Sequence, residues 1–235
     1  MSDWGKIAFY YDYEVEGRYG DVERMRGVVS KSYKYPGVYG MLLHAYNAMQ
    51  FFFHNCDKGE FDGRQWQNPY SGWNELNTAF DVYFDYGAID CGGNDLKYAF
   101  DSTEEKDMRS GLFDCEGMYG WLYISYTGTL EDGYTLKYGY EYGQDDEYGI
   151  GDFRRALKLY EKDRKLNLGK KDKEEMEEMI SFFEVNAQVM TRKEFSDFEI
   201  NCVNWVKEVK EHPELDMMEF AATIADVKNG TTSDI

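Results

Sequence analysis

Residues 117–151 read GMYGWLYISYTGTLEDGYTLKYGYEYGQDDEYGIG, and this stretch has the pattern of a β-hairpin. From Tyr134 to Tyr142, alternate positions are Tyr, Leu, Tyr, Tyr and Tyr, which places them on one face of a strand. The first half, residues 118–127, is aromatic and β-branched on both faces, as in a central strand covered on two sides. Gly133 can take the positive φ that the connecting turn needs. The segment therefore predicts a hairpin inside a sheet.

The chain before this hairpin predicts one more strand and one helix. Residues 6–16 alternate between apolar and polar side chains, which indicates a strand. Residues 17–27 are charged and flanked by glycine, and we expect a loop or a short helical turn there. Apolar residues recur at helical spacing over 38–54, which predicts a helix that packs on the sheet.

The segment that follows contains weaker signals. Residues 73–86 fit either a helix or a strand, and we predict a strand over 80–89 with a partner strand over 96–100. Ser102 and Glu105 have the spacing of a capping box, which predicts a short helix beginning there.

From Asp152 onward the composition changes to lysine, methionine and glutamate, and the spacing of apolar residues predicts helices. Asp152 is a candidate N-cap, and Thr191 with Glu194 forms a candidate capping box. The predicted helices run from 153 to Gly169, over 172–190, from Thr191 to Pro213, and over 217–227.

These elements predict an α+β fold. We expect an antiparallel β-sheet with one packed helix in the N-terminal part, followed by a C-terminal helical bundle joined by short loops. The corresponding division is an acidic, aromatic-rich domain over 1–152, a helical subdomain over 153–228 and a flexible tail over 229–235.

The charge is the most unusual property of the chain. It has 45 acidic residues against 26 basic ones, a formal net charge of −19 and a pI near 4.5. Residues 1–152 carry 27 Asp and Glu against 12 Lys and Arg, whereas residues 153–235 carry 18 against 14. Such a field keeps a protein soluble, repels nucleic acid and anionic membranes, and favours a cationic partner.

The sequence contains no recognisable catalytic or cofactor-binding motif. The three histidines, His44, His54 and His212, lack the spacing that brings ligands together, and the acidic loops do not fit a calcium-binding template. Nucleophile-elbow, phosphate-loop and dinucleotide-binding patterns are missing as well. We therefore predict a protein without catalytic residues, metal or cofactor.

The four cysteines, at positions 56, 91, 115 and 202, show no metal-binding spacing, and no apolar segment precedes the first strand. Reduced thiols in a cytoplasmic protein are the simplest interpretation.

We expect a non-enzymatic binding protein or inhibitor that docks on a basic surface of another protein. In its sharpest form it is a DNA or RNA mimic of the kind that phages encode against restriction, CRISPR or other defence nucleases, with carboxylates in place of phosphates. Tyrosines would add rigid contact area to that surface. The candidate partner-binding residues are Glu131, Asp132, Tyr140, Tyr142, Asp145, Asp146, Glu147 and Tyr148; core packing is the alternative role for the tyrosines.

Three alternatives remain open at this stage. An immunity protein that neutralises a basic toxin nuclease would use the same charge. An enzyme that uses Asp and Glu with a divalent metal would need a concave cluster of acids. A sugar-binding protein would need Trp66 and Trp73 exposed on one face.

Overall fold

This computed structural model describes residues 4–16, 20–34, 38–43, 45–46, 95–113, 118–142, 150–164 and 169–212. They form a mixed five-stranded sheet with helices, an α+β fold. The strands are β1 (Trp4–Glu16), β2 (Val22–Lys34), β3 (Met118–Thr129), β4 (Gly133–Tyr142) and β5 (Gln188–Val189). The helices are α1 (38–43 and 45–46), α2 (Asp95–Asp101), α3 (Glu105–Phe113), α4 (Phe153–Arg164), α5 (Lys170–Asn186) and α6 (Arg192–Glu211). No described helix combines the length and apolar character that a bilayer crossing requires.

The strand order is β2-β1-β3-β4-β5. Two antiparallel hairpins, β1–β2 and β3–β4, lie side by side with β1 and β3 parallel at the centre. The prediction of an antiparallel sheet is therefore wrong at this pairing. Parallel neighbours need a long crossover connection, and the chain between β2 and β3 is long enough to supply one. Because β1 and β3 run in the same direction, the turns of both hairpins lie at the same end of the sheet.

One face of the sheet is rich in tyrosine and is covered by α1, α4 and α5. Phe153 of α4 stacks on Tyr138 with ring centroids 5.0 Å apart, and Phe183 of α5 lies 5.3 Å from the same ring. The strand residues of this face are Ile7, Phe9, Tyr11, Tyr13, Leu122, Ile124, Tyr126, Leu136, Tyr138, Tyr140 and Tyr142.

The opposite face is covered by α2, α3 and α6. Its strands contribute Ala8, Tyr10 and Tyr123, and α6 contributes Phe198, Val206 and other apolar residues of its inner side. The described C-terminal helices thus pack on both faces of the sheet, whereas a bundle of their own was expected. The division at residue 152 stays a prediction about independent folding, since contacts such as Tyr138–Phe153 cross it.

Several predicted elements are confirmed. The strand over 6–16 lies within β1, the hairpin forms β3 and β4, and Gly133 has a φ of 79°. The N-cap is present because the Arg155 amide donates to Oδ1 of Asp152 over 2.7 Å. The capping box at the start of α6 is also present, between Thr191 and Glu194.

Two predicted elements are wrong. Residues 96–100 lie in helix α2, where the backbone of Ala99 packs closely against Gly111 of α3. Much of the predicted loop over 17–27 belongs to β2, whose charged sequence is typical of an edge strand. The predicted strand over 80–89, the helix over 217–227 and the tail over 229–235 lie outside the described residues.

Candidate binding surface at the hairpin end

The β3–β4 turn and the start of β4 contact the C-terminal part of β1 at one end of the sheet. The backbone amide of Leu130, in the β3–β4 turn, donates to the carboxylate of Glu14 over 3.3 Å. The hydroxyl of Tyr134, the second residue of β4, donates to the main-chain carbonyl of Glu14 over 2.8 Å. Pairing of Glu16 with Val22 brings the start of β2 to the same end. We call this surface the hairpin end; it comprises Glu14, Glu16, Asp21, Leu130, Glu131, Asp132 and Tyr134.

The β3–β4 turn is fixed by its own hydrogen bonds. The Asp132 amide donates to Oγ1 of Thr129 over 2.9 Å, and the Thr129 hydroxyl donates to Oδ2 of Asp132 over 3.1 Å. Gly133 follows in a left-handed conformation that glycine adopts without strain. The turn therefore holds the exposed Glu131 and Asp132 on a defined backbone.

Five acidic residues lie at the hairpin end, and no lysine or arginine of the described residues forms an ion pair with any of them. The nearest described cation by strand register is Arg24, which pairs with Asp12 at 2.6 Å. Partial burial of Asp12 opposes its ionisation, but hydrogen bonds from Arg24 and Tyr10 outweigh that effect and lower its pKa. Arg24 is thus already engaged, and among the described residues the five acids form a negatively charged pole.

Elsewhere in the described part of the chain, many acids are neutralised. Exposed acids without an ion pair do occur on α6, but lysines at positions 193, 207 and 210 share that helix. The described helices therefore carry mixed charge, whereas the described residues of the hairpin end carry only negative charge. The ion pairs are Arg26–Glu208, Arg109–Glu199, Lys137–Glu194, Arg154–Glu177, Arg154–Glu184, Lys170–Glu174, Lys171–Glu175 and Lys207–Glu105.

Tyr134 supplies an aromatic ring at this pole. Its side chain is 44% exposed, its ring stacks on Tyr126 with centroids 5.5 Å apart, and Tyr13 meets it edge to face at 6.2 Å. Two ring contacts and the hydroxyl bond to Glu14 hold it in place. Our list of predicted site residues omits Tyr134, although its position directly after an acidic turn was a usable signal. Leu130, 47% exposed, adds apolar surface beside it.

The predicted anchors Tyr140 and Tyr142 are not at the surface. Each is 3% exposed, and the Tyr140 ring lies 5.6 Å from Phe153 of α4. Burial raises the pKa of Tyr140. Helices cover this face, and Gly120 on β3 leaves room for the Tyr140 ring. The prediction that these two tyrosines contact a partner is therefore wrong, and core packing is their role.

Of the remaining predicted site residues, Glu131 and Asp132 lie together at the hairpin end. Asp145, Asp146, Glu147 and Tyr148 lie outside the described residues. Within the described residues, no group of three or more histidine, cysteine, aspartate or glutamate side chains is arranged to hold a metal ion. Cys202 is buried, and burial raises the pKa of its thiol, which disfavours the reactive thiolate.

The hairpin end can attract cations and can present a rigid aromatic ring beside them. No family model matches the sequence, and comparisons with curated proteins and with solved structures found no match.

Proposed function

We propose that this protein is a non-enzymatic binding protein that docks its hairpin end on a basic surface of another protein. The observation that carries the proposal is that five acidic residues, without ion-pair partners among the described residues, lie at the same end of the sheet as the exposed Leu130 and Tyr134. Asp145, Asp146, Glu147 and Tyr148 belong to the proposed surface as predictions.

Gathering like charges at one place has a physical consequence. The carboxylates repel one another in the free protein, and a cationic surface relieves that repulsion on binding. The focused field also accelerates encounter with a basic partner and makes the association rate fall with salt. Acids dispersed among lysines would provide neither effect.

In the sharper form of the proposal, the partner's basic surface normally binds nucleic acid, and this protein is a DNA or RNA mimic. Lysine and arginine clefts that accept phosphates also accept a rigid array of carboxylates. In this form of the proposal, the protein is encoded by a phage and inhibits a defence nuclease in the cytoplasm. An immunity protein against a basic toxin nuclease would use the same surface, and competition with nucleic acid separates the two.

The test is affinity capture from a lysate of the source cells with the immobilised protein and two matched variants. Glu131→Gln with Asp132→Asn removes two charges from the hairpin end. Asp197→Asn with Glu211→Gln removes two charges from α6 and serves as the control, because both residues are exposed. We expect a basic protein that the native chain and the control retain and that the hairpin-end variant retains poorly.

Duplex DNA or RNA added to the captured complex then tests the mimic. Release by nucleic acid supports it, and retention in the presence of excess nucleic acid contradicts it while leaving the immunity alternative. Equal losses in the two variants, or no retained protein, would contradict the docking surface itself.

A further inference from the structure

We infer that the hairpin end selects arginine over lysine in its partner, through the ring of Tyr134. This inference rests on the proposed function and adds the chemistry of the group that is bound. It arises from the combination of an immobilised, partly exposed ring on β4 with carboxylates on the turn that precedes it.

The ring is pre-organised for such a contact. Tyr134 is 44% exposed, yet its hydroxyl is bonded to the Glu14 carbonyl at 2.8 Å and its ring stacks on Tyr126. A side chain already held in this way loses little conformational entropy on binding. Tyr98, by comparison, is 57% exposed on α2 and lies beside Gly111, whose carbonyl binds Lys6 near the opposite end of β1.

The charges next to the ring define what can bind there. Glu131 and Asp132 lie in the turn that leads into Tyr134 on β4, and the Glu14 carboxylate accepts a hydrogen bond from the Leu130 amide. A bound group must therefore be cationic, and to use the ring it must also be flat and weakly hydrated. The guanidinium of arginine meets both conditions and can bond a carboxylate with two parallel N–H groups. The ammonium of lysine is strongly hydrated and acts as a point charge.

The experiment compares an oligoarginine peptide with an oligolysine peptide of equal length, each titrated against the full chain at one ionic strength. We expect oligoarginine to bind at least about threefold more tightly, which is the size of an exposed cation–π contact. In Tyr134→Leu this preference falls markedly, whereas Tyr134→Phe keeps it because the ring remains. The matched control, Tyr98→Leu, keeps the native preference.

The outcomes separate this inference from the proposed function. Equal affinity for the two peptides in the native chain, or a preference that Tyr134→Leu leaves unchanged, would overturn the arginine selection. If the two peptides bind the native chain equally well and both lose affinity in Glu131→Gln with Asp132→Asn, the docking surface stands without that selection. If neither peptide distinguishes the native chain from this acid variant, the proposed function fails. Circular dichroism and the Tyr134→Phe variant show whether a loss comes from misfolding.

Discussion

The Nζ atom of Lys6 in β1 lies 3.0 Å from the main-chain carbonyl oxygen of Gly111 in α3, and both residues are buried. The last carbonyls of a helix have no partner within the helix and carry its negative dipole end, so a buried ammonium is well placed there. Side chains of the two neighbouring strands bind the next two carbonyls. These further bonds are Ser30 Oγ to Leu112 O at 2.9 Å and Trp121 Nε1 to Phe113 O at 2.9 Å.

Replacing Lys6 tests this helix end. Lys6→Met keeps the length of the side chain but removes the donor, which leaves the buried Gly111 carbonyl without this bond. We expect the free energy of unfolding to fall by about 1.5–3 kcal/mol, the range for hydrogen bonds to charged groups. Denaturant unfolding provides the measurement, and Lys106→Met at an exposed position of α3 is the control. If Lys6→Met were as stable as the native chain, the Lys6–Gly111 hydrogen bond would not contribute to the stability of the fold.

The close packing of Tyr140 on Gly120 gives a second prediction. A Cβ atom on Gly120 would lie 2.1 Å from the Tyr140 hydroxyl oxygen, and the buried ring has little room to move. Gly120→Ala should therefore cost about 1–3 kcal/mol of stability through overpacking.

Removing that hydroxyl should relieve part of the strain, so Gly120→Ala with Tyr140→Phe should be more stable than the two single effects predict. Gly151→Ala is the control, because its new Cβ would meet only the flexible, exposed Arg155 side chain. Strict additivity of the pair would argue against the contact.

The ion pair of Glu194 should make the stability of the fold depend on pH in the acid range. Its hydrogen bonds with Lys137 and with the Thr191 backbone and hydroxyl lower its pKa to about 2 from an ordinary value of 4.5. Because the folded carboxyl releases its proton more readily than the unfolded one, its stabilisation is present above about pH 4.5. It is lost as the pH falls towards 2.

We expect Glu194→Gln to be less stable than the native chain by about 1 kcal/mol at neutral pH, since the exposed ion pair is lost and the amide can still cap α6. The difference should shrink as the pH falls through this window. Unfolding measured at several pH values tests this, with Glu211→Gln as the matched control. A difference that does not change with pH would be inconsistent with the Lys137–Glu194 pair.

Burial of Tyr138 on the tyrosine-rich face of the sheet should make the fold less stable at alkaline pH. Burial raises the pKa of Tyr138 to about 12, whereas an unfolded tyrosine ionises near 10. Between these values the folded chain keeps a proton that the unfolded chain has lost, so stability falls as the pH rises.

Unfolding of the native chain and of Tyr138→Phe, measured from about pH 10 to about pH 12, should show the advantage of the native chain over the variant decreasing. The exposed Tyr98→Phe is the control. A constant difference between the native chain and Tyr138→Phe would contradict the buried state of this hydroxyl.

Local patterns predicted most of the described elements. The alternation of β1 and of the hairpin, the turn at Gly133 and the caps at Asp152 and Thr191 are all readable within a few residues. Strand β2 was missed because an edge strand carries charges that hide its alternation, as in the VERMR sequence from Val22 to Arg26.

The features that the sequence did not predict depend on contacts between residues far apart in the chain. The parallel contact of β1 with β3 joins segments more than a hundred residues apart, and no local pattern encodes it. The burial of Tyr140 likewise depends on α4 and on Gly120 of the neighbouring strand. Only two of the five acids of the hairpin end were predicted, because Glu131 and Asp132 share an end of the sheet with Glu14, Glu16 and Asp21 only through that parallel contact.

The docking surface is tested most directly by zero-length carbodiimide crosslinking of the protein in a lysate of the source cells, followed by mass spectrometry of the linked peptides. This reagent joins a carboxylate to an amine that touches it, so it identifies the acids at the interface. We predict links from Glu14, Glu16, Asp21, Glu131 or Asp132 to lysines that lie beside the bound arginines of one basic, nucleic-acid-binding protein. Links spread over the exposed acids of α5 and α6, with none from the hairpin end, would contradict the proposed docking surface.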